Sequence, residues 1–166
     1  MNEFTFTDSR FMTAQEKHRV IKAWGRFLKG GCKREDFTNA LYEHLITHCS
    51  FIAHYDRDGF YRYYFTDPKR KPKFFAQFDE TEGCHSAELG WRGWLNGGYA
   101  DINQAMVKVA AGYIFRITAD CDDEAHRRDL AQAKNLLLKH GLAEIAQQVP
   151  SLAQCAQTTG TQLSLV

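Results

Sequence analysis

The chain contains no run of 18 or more apolar residues, so nothing in it reads as a membrane-spanning helix. Its opening, MNEFTFTDSRF, has neither a positively charged start nor an apolar stretch, and no secretory signal is expected there. It has no Cys-x-x-Cys pair. The five cysteines, Cys32, Cys49, Cys84, Cys121 and Cys155, are widely spaced and odd in number. That excludes a zinc ribbon and a disulfide frame and favours free thiols in a reducing compartment, so the expected location is the cytoplasm. Gly-x-Gly-x-x-Gly and Gly-Lys-Ser/Thr are both missing. Gly97-Gly98 stands before an acid, Asp101, which would repel an anion at that helix start, so no phosphate cradle is expected. No internal repeat is present.

What is there is an ordinary composition. The 166 residues are 44% apolar and 25% charged, enough for one domain with a real core and unlike a disordered or collagen-like chain. The net charge of +1 conceals a split. Residues 1–73 carry 14 Lys/Arg against 9 Asp/Glu, and residues 74–166 carry 7 against 11. A basic half of this kind can orient a molecule towards an acidic partner, or the two halves can attract each other within the fold.

Apolar periodicity predicts an all-α, single-domain bundle of five to six helices over residues 1–149, with 150–166 as a flexible tail. Thr13-Ala-Gln-Glu16 is a capping box, opening a helix that runs to about Lys29 and stops at Gly30-Gly31. Val20, Ile21, Trp24, Phe27 and Leu28 share its inner face. The next helix is expected from Glu35 or Asp36, with Phe37, Leu41, Leu45, Cys49 and Ile52 inward and His44, His48, Phe51 and Tyr55 beside them. Asp56-Arg-Asp-Gly59 interrupts the pattern. The aromatic run after it leaves a strand, a helical turn or an extended segment open, so one short hairpin or extended stretch is expected near 55–66.

Asp67-Pro68 predicts a helix over 68–78 with Phe74, Phe75 and Phe78 inward, and a long connection follows with a short helix near 86–95. Asp101-Ile-Asn-Gln104 reads as a second capping box. The helix it would open, 102–118, is apolar nearly all round and is expected to be the buried centre. A cap at Asp122 or Asp123 then predicts a helix to His140 that turns Leu130, Ala133, Leu136, Leu137 and Leu138 to the core, followed by a short helix over 142–149.

Five patterns bear on chemistry. His44 and His48 lie four apart, a spacing at which two imidazoles can reach one metal, with His54 and His85 as further donors. No Glu follows the first histidine, so the hydrolytic zinc pattern fails, and a core-edge role is the stronger reading; no metal and no other cofactor is expected. Asp56-Arg-Asp-Gly59 begins like a calcium loop but lacks the third oxygen donor and the distal glutamate, with Phe65 in its place, so a tight turn is favoured. Cys84 beside His85 and the Trp91-Arg-Gly-Trp94 loop have no orienting group or motif around them, and no catalytic residue can be assigned.

The fifth pattern is the most physical. Gln15, Arg19, Lys22, Arg26 and Lys29 recur at intervals of three and four, an outward and mostly basic stripe that Lys33 and Arg34 continue. Lys69, Arg70, Lys71 and Lys73 add a second cluster near Tyr61, Tyr63 and Tyr64. Basic groups neutralise phosphates and exposed rings stack on bases, so the function expected first is that of a non-enzymatic accessory protein whose N-terminal half binds nucleic acid or an acidic protein surface. Two alternatives come from other classes: a metal-dependent or acid/base enzyme with a histidine-lined cleft, and an inhibitor or assembly factor using the aromatic 51–65 surface.

Overall fold

The computed structural model describes residues 4–48, 56–76, 78 and 97–149. Among these residues there are seven α-helices and no strand: α1 (Ala14–Lys29), α2 (Asn39–Ile46), α3 (Arg57–Phe65), α4 (Arg70–Ala76), α5 (Ala100–Ala111), α6 (Ile114–Lys139) and α7 (Ala143–Gln148). None of the described helices is long and apolar enough to cross a membrane. Backbone contacts divide the chain into Met1–Cys121 and Asp122–Val166, with α6 running across the division. The expected tail over 150–166, the short helix near 86–95 and the Cys84-His85 and Trp91–Trp94 positions lie outside the described residues.

In the first unit α1 begins as its sequence dictates. The Thr13 hydroxyl accepts from the Glu16 amide, and Glu16 accepts from the Thr13 amide at 2.8 Å, so two orphan donors are satisfied reciprocally. It ends at Gly31, whose φ of +76° suits glycine. The Gly31 amide donates to Leu28 at 3.1 Å and the Cys32 amide to Phe27 at 2.8 Å, the crossed pair that closes a helix C-terminus. Val20, Ile21, Trp24, Phe27 and Leu28 are all buried.

The second helix starts later than its acids suggest. Residues Arg34–Asp36 form one 3₁₀ turn, Phe37 leaves helical geometry to enter the core, and Thr38 caps α2 by accepting from the Leu41 amide. Position matters more than charge here: the hydroxyl of Thr38 is placed to take an orphan amide, whereas Glu35 and Asp36 offer only the dipole.

The hairpin or extended stretch expected near 55–66 does not form. Residues 57–65 are helical. The Asp56 carboxylate accepts from the Gly59 amide at 2.6 Å, so the Asp-Arg-Asp-Gly sequence is a helix cap instead of a calcium loop or an isolated turn. The helix sends Phe60, Tyr64 and Phe65 to one side, and all three are buried. The preference of aromatic residues for strands yields to that burial. In α4, Phe74 and Phe75 face inward as expected, and Phe78 beyond its end joins them, each with no exposed surface. With Trp24, Phe27, Phe37, Phe60, Tyr64 and Phe65 they make a continuous aromatic core. Its ring centroids lie 4.7–6.4 Å apart, mostly in tilted and edge-on pairs, with Trp24 stacked on Phe27 and Phe75 and Phe37 stacked on Phe60.

The central helix is shorter than the expected 102–118. It covers Ala100–Ala111, stops at Gly112, and α6 begins at Ile114. Glycine is about 1 kcal/mol poorer than alanine inside a helix, and the chain breaks there despite its unbroken apolar pattern. Phe115, just past the break, is 87% exposed. Asp122 and Asp123 are ordinary exposed positions within α6, not caps. Asp101 does not cap either. It sits inside the first turn of α5, where its Oδ1 accepts from the Ile102 amide at 2.8 Å and its Oδ2 is engaged elsewhere.

That engagement ties α5 to α1. The Lys17 ammonium, with its side chain 1% exposed, donates to Asp101 Oδ2 at 2.7 Å and to the Thr7 carbonyl at 2.8 Å. Further along, Trp24 Nε1 donates to the Met106 carbonyl at 3.0 Å. At the far end Arg116 Nη2 donates to the Leu28 carbonyl at 2.9 Å, so the end of α1 gains a side-chain donor.

In the second unit Glu124 pairs with Arg127 at 3.1 Å and Arg128 at 2.8 Å along α6. Gly141, at φ +75°, ends that helix with the same crossed hydrogen bonds seen at Gly31. Among the described residues of this unit, Ala146 of α7 is the buried one. The expectation that Leu130, Ala133, Leu136, Leu137 and Leu138 all face a core fails. Leu130 and Leu137 are half-buried, whereas Ala133, Leu136 and Leu138 are exposed. Three consecutive leucines span more than half of a helix circumference and cannot share one face.

The Lys17–Asp101 pair is unequal, since the Asp101 side chain is 39% exposed. Asp101→Asn strands a buried ammonium and should cost about 3 kcal/mol, whereas Lys17→Met leaves a carboxylate that water can reach and should cost about 1 kcal/mol or less. Urea unfolding of the two variants measures this; equal losses would show that the ammonium is not the costly partner.

Candidate functional site

Two features of the first unit stand apart from its core: the outer face of α1, and a cluster of polar groups beneath a cleft between α1 and α2.

Arg19, Lys22, Arg26 and Lys29 are all exposed, on the face of α1 opposite Val20, Ala23, Trp24 and Phe27. Lys33, in the turn that follows, is exposed as well. None of these five makes an ion pair among the described residues. Lys17, which belongs to the same basic stretch of sequence, is instead consumed by Asp101.

Among the remaining predicted cations, Arg34 and Arg70 have other engagements. Arg34 pairs with Asp58 and lies over the Tyr61 ring at 5.6 Å. Arg70 pairs with Asp67 at 3.4 Å and lies over Tyr63 at 4.2 Å. Lys69 and Lys73 are exposed, and Lys71 is half-buried. The described part of the aromatic surface is likewise tied down. Tyr61 donates its hydroxyl to the Cys32 carbonyl at 2.9 Å, and burial raises its pKa. Residues 51–55 lie outside the described residues.

The histidines behave differently from a metal site. His44 and His48 are both buried, with ring centroids 5.3 Å apart. Between them stands Asn103 of α5, which has no exposed surface. His44 Nε2 lies 2.7 Å from Asn103 Oδ1, and Asn103 Nδ2 lies 3.3 Å from His48 Nε2. An amide oxygen only accepts and an amide nitrogen only donates. With the amide in this orientation, His44 donates from Nε2 and His48 accepts on Nε2. The Tyr99 ring meets both imidazoles edge-on, at 5.8 and 5.3 Å. His54 and His85 lie outside the described residues, and among the described residues no group of three His, Cys, Asp or Glu is placed to hold a metal.

Asn103 is the residue that sequence reasoning missed. Its signal was present: one amide among Ile102, Ala105, Met106 and Val107, on a helix whose burial was anticipated. A buried amide needs partners, and the two histidines on the edge of α2 were the nearest candidates in kind.

Above this cluster a cleft of 230 Å³ opens between the N-terminal half of α1 and α2. Phe11, Met12 and Tyr99 give it an apolar wall, and Glu16, Arg19 and Glu43 are its charged lining. Phe11 is 54% exposed and stacks on Tyr99 at 5.2 Å, with the Arg10 guanidinium 5.7 Å from its centroid. Cys32, past the other end of α1, offers no nucleophile, because burial pushes its thiol up to about 12.

Burial pulls the His44 imidazole down to about 4 from an ordinary 6.5; the Asn103 hydrogen bond opposes the shift and the His48 ring adds to it. Unfolded chains therefore take up a proton at 6.5 that the folded protein refuses until about 4. The contribution of the neutral ring is fully present above pH 6.5, is lost as pH falls towards 4, and levels off below that. The loss should reach about 3 kcal/mol, read as a falling denaturation midpoint. His44→Gln keeps a donor for Asn103 but cannot titrate, so its midpoint should change less over that range; a profile as steep as the parent's would place the titration elsewhere.

Comparison with protein-family models, with curated proteins and with solved structures finds no match to this chain.

Proposed function

We propose that the protein is a nucleic-acid-binding accessory protein that engages the phosphate backbone through the outer face of α1. The observation that supports this reading is the row Arg19, Lys22, Arg26, Lys29: exposed, on one face, and without an ion pair among the described residues. From Arg19 to Lys29 the row extends about 15 Å along the helix axis, at a rise of about 1.5 Å per residue. Lys33 lengthens it past the turn.

The opposite face of α1 is committed to the core, so the helix has one orientation and its cations are held outward by packing. A rigid row of this kind loses less side-chain freedom on binding than cations on a loop do. Each phosphate it neutralises releases a condensed counterion, which makes the binding salt-dependent and largely independent of sequence. His44, kept neutral by burial, is suited to fixing α2 against α5 and not to exchanging a proton near neutral pH, so the accessory reading is preferred to an acid/base enzyme that uses it.

Four phosphate contacts predict a slope of log affinity against log salt of about −3 to −4 between about 50 and 200 mM. Anisotropy titrations of mixed-sequence oligonucleotides measure it. The triple variant Arg19→Gln, Lys22→Gln, Arg26→Gln should flatten the slope by about two to three while helicity stays unchanged. Binding that is absent at the lowest salt, or that does not weaken as salt rises, rules the reading out.

A further inference from the structure

We propose that the cleft between α1 and α2 receives one unpaired nucleobase of a bound single strand, placed against the Phe11–Tyr99 ring pair. The inference rests on the phosphate-binding reading of α1 and adds a base site at one end of the same surface. Arg19 joins the two features: it is the first cation of the exposed row and also lines the cleft. A strand following the row towards the start of α1 therefore reaches the cleft at its last phosphate contact.

The lining of the cleft suits a base and not a phosphate. Glu16 and Glu43 outnumber Arg19, so a second anion would be repelled, whereas carboxylates accept from the N–H edges of bases. The apolar wall supplies a stacking surface. Phe11 is 54% exposed, where the chain buries Phe27, Phe37, Phe60, Phe65, Phe74, Phe75 and Phe78; Phe115 is more exposed still, but it does not line the cleft. It is held in place by a near-parallel ring, at 19° to Tyr99, and Tyr99 is in turn braced by both buried histidines. The backbone also makes room for it: a Cβ at position 98 would overlap the Phe11 ring, so Gly98 permits the ring to lie where it does. Ring pairs of this kind hold bases in many single-strand sites because every base has a π-face. Paired bases are stacked inside a duplex and present no free face, so the site selects single strands.

Three ligands of equal phosphate number test this: a single strand, the same strand made wholly abasic, and a duplex. Anisotropy at one low salt concentration should rank the intact strand about tenfold above the abasic strand. Phe11→Ala should reduce the intact strand to the abasic level while leaving the abasic affinity and the salt slope unchanged. Because that ring is half in solvent, folding is not at stake, and Gly98→Ala, which displaces the ring without removing it, should act in the same direction. An abasic strand that binds as tightly as the intact one overturns the base site. So does an intact-over-abasic advantage that survives Phe11→Ala. Either result leaves the phosphate reading standing if the salt slope persists, whereas loss of binding by all three ligands at low salt overturns both.

Discussion

A lysine ammonium that water cannot reach must find its counter-charge inside the fold, and Lys17 finds it 84 residues away on Asp101. The geometry of α1 and α5 follows from this contact and two others. Lys17 fixes the start of each helix against the other, the Trp24 indole fixes the middle, and Arg116 fixes the end of α1 from beyond the Gly112 break. Each is a hydrogen bond made by a long or bulky side chain whose carbon atoms also pack, so register and burial are set by the same residues. Once α1 and α5 are in register, the cations on the outer face of α1 have a fixed direction, and Asn103 has a fixed place opposite α2.

The aromatic groups fill what this pair leaves. In the described part of residues 36–65 the aromatic side chains serve mainly to build the core. Phe37 pulls the chain out of its 3₁₀ turn, α2 supplies Leu41 and Leu45, and α3 returns Phe60, Tyr64 and Phe65 to the same volume. Each fully buried ring contributes on the order of 1.5–3 kcal/mol of transfer free energy before packing is counted. That sum lets α2, α3 and α4, all of them short, exist as helices when none would be stable alone.

The parts of the fold that were legible in the sequence are those set by neighbours along the chain. The Thr13–Glu16 box, the Gly31 terminator, the inner face of α1 and the inward Phe74, Phe75 and Phe78 all depend on spacings within a few residues. What was not legible depends on partners far away. Asp101 reads as a cap because nothing local says that a lysine 84 positions earlier will claim it. Residues 57–65 read as ambiguous because their helix is chosen by a core that they help to build. The break at Gly112 was hidden by apolar periodicity running through it. The basic row was visible from its spacing, but which cations are consumed internally, as Lys17 and Arg34 are, was not. The cleft is a product of tertiary packing, and only its ingredients are written in the chain.

The amide of Asn103 gives the His44–Asn103–His48 series a sense of direction. With the amide in this orientation, a donor nitrogen at one end and an acceptor nitrogen at the other pair the two imidazoles as opposite tautomers. Neither can switch alone. Reversing one ring leaves two acceptors or two donors facing each other, so the sense of the series reverses only if the amide turns through half a revolution while both rings relocate their protons together. A buried asparagine thereby makes two separate imidazoles act as one unit, and binds α2 to α5 by a rule of proton order as well as by contact.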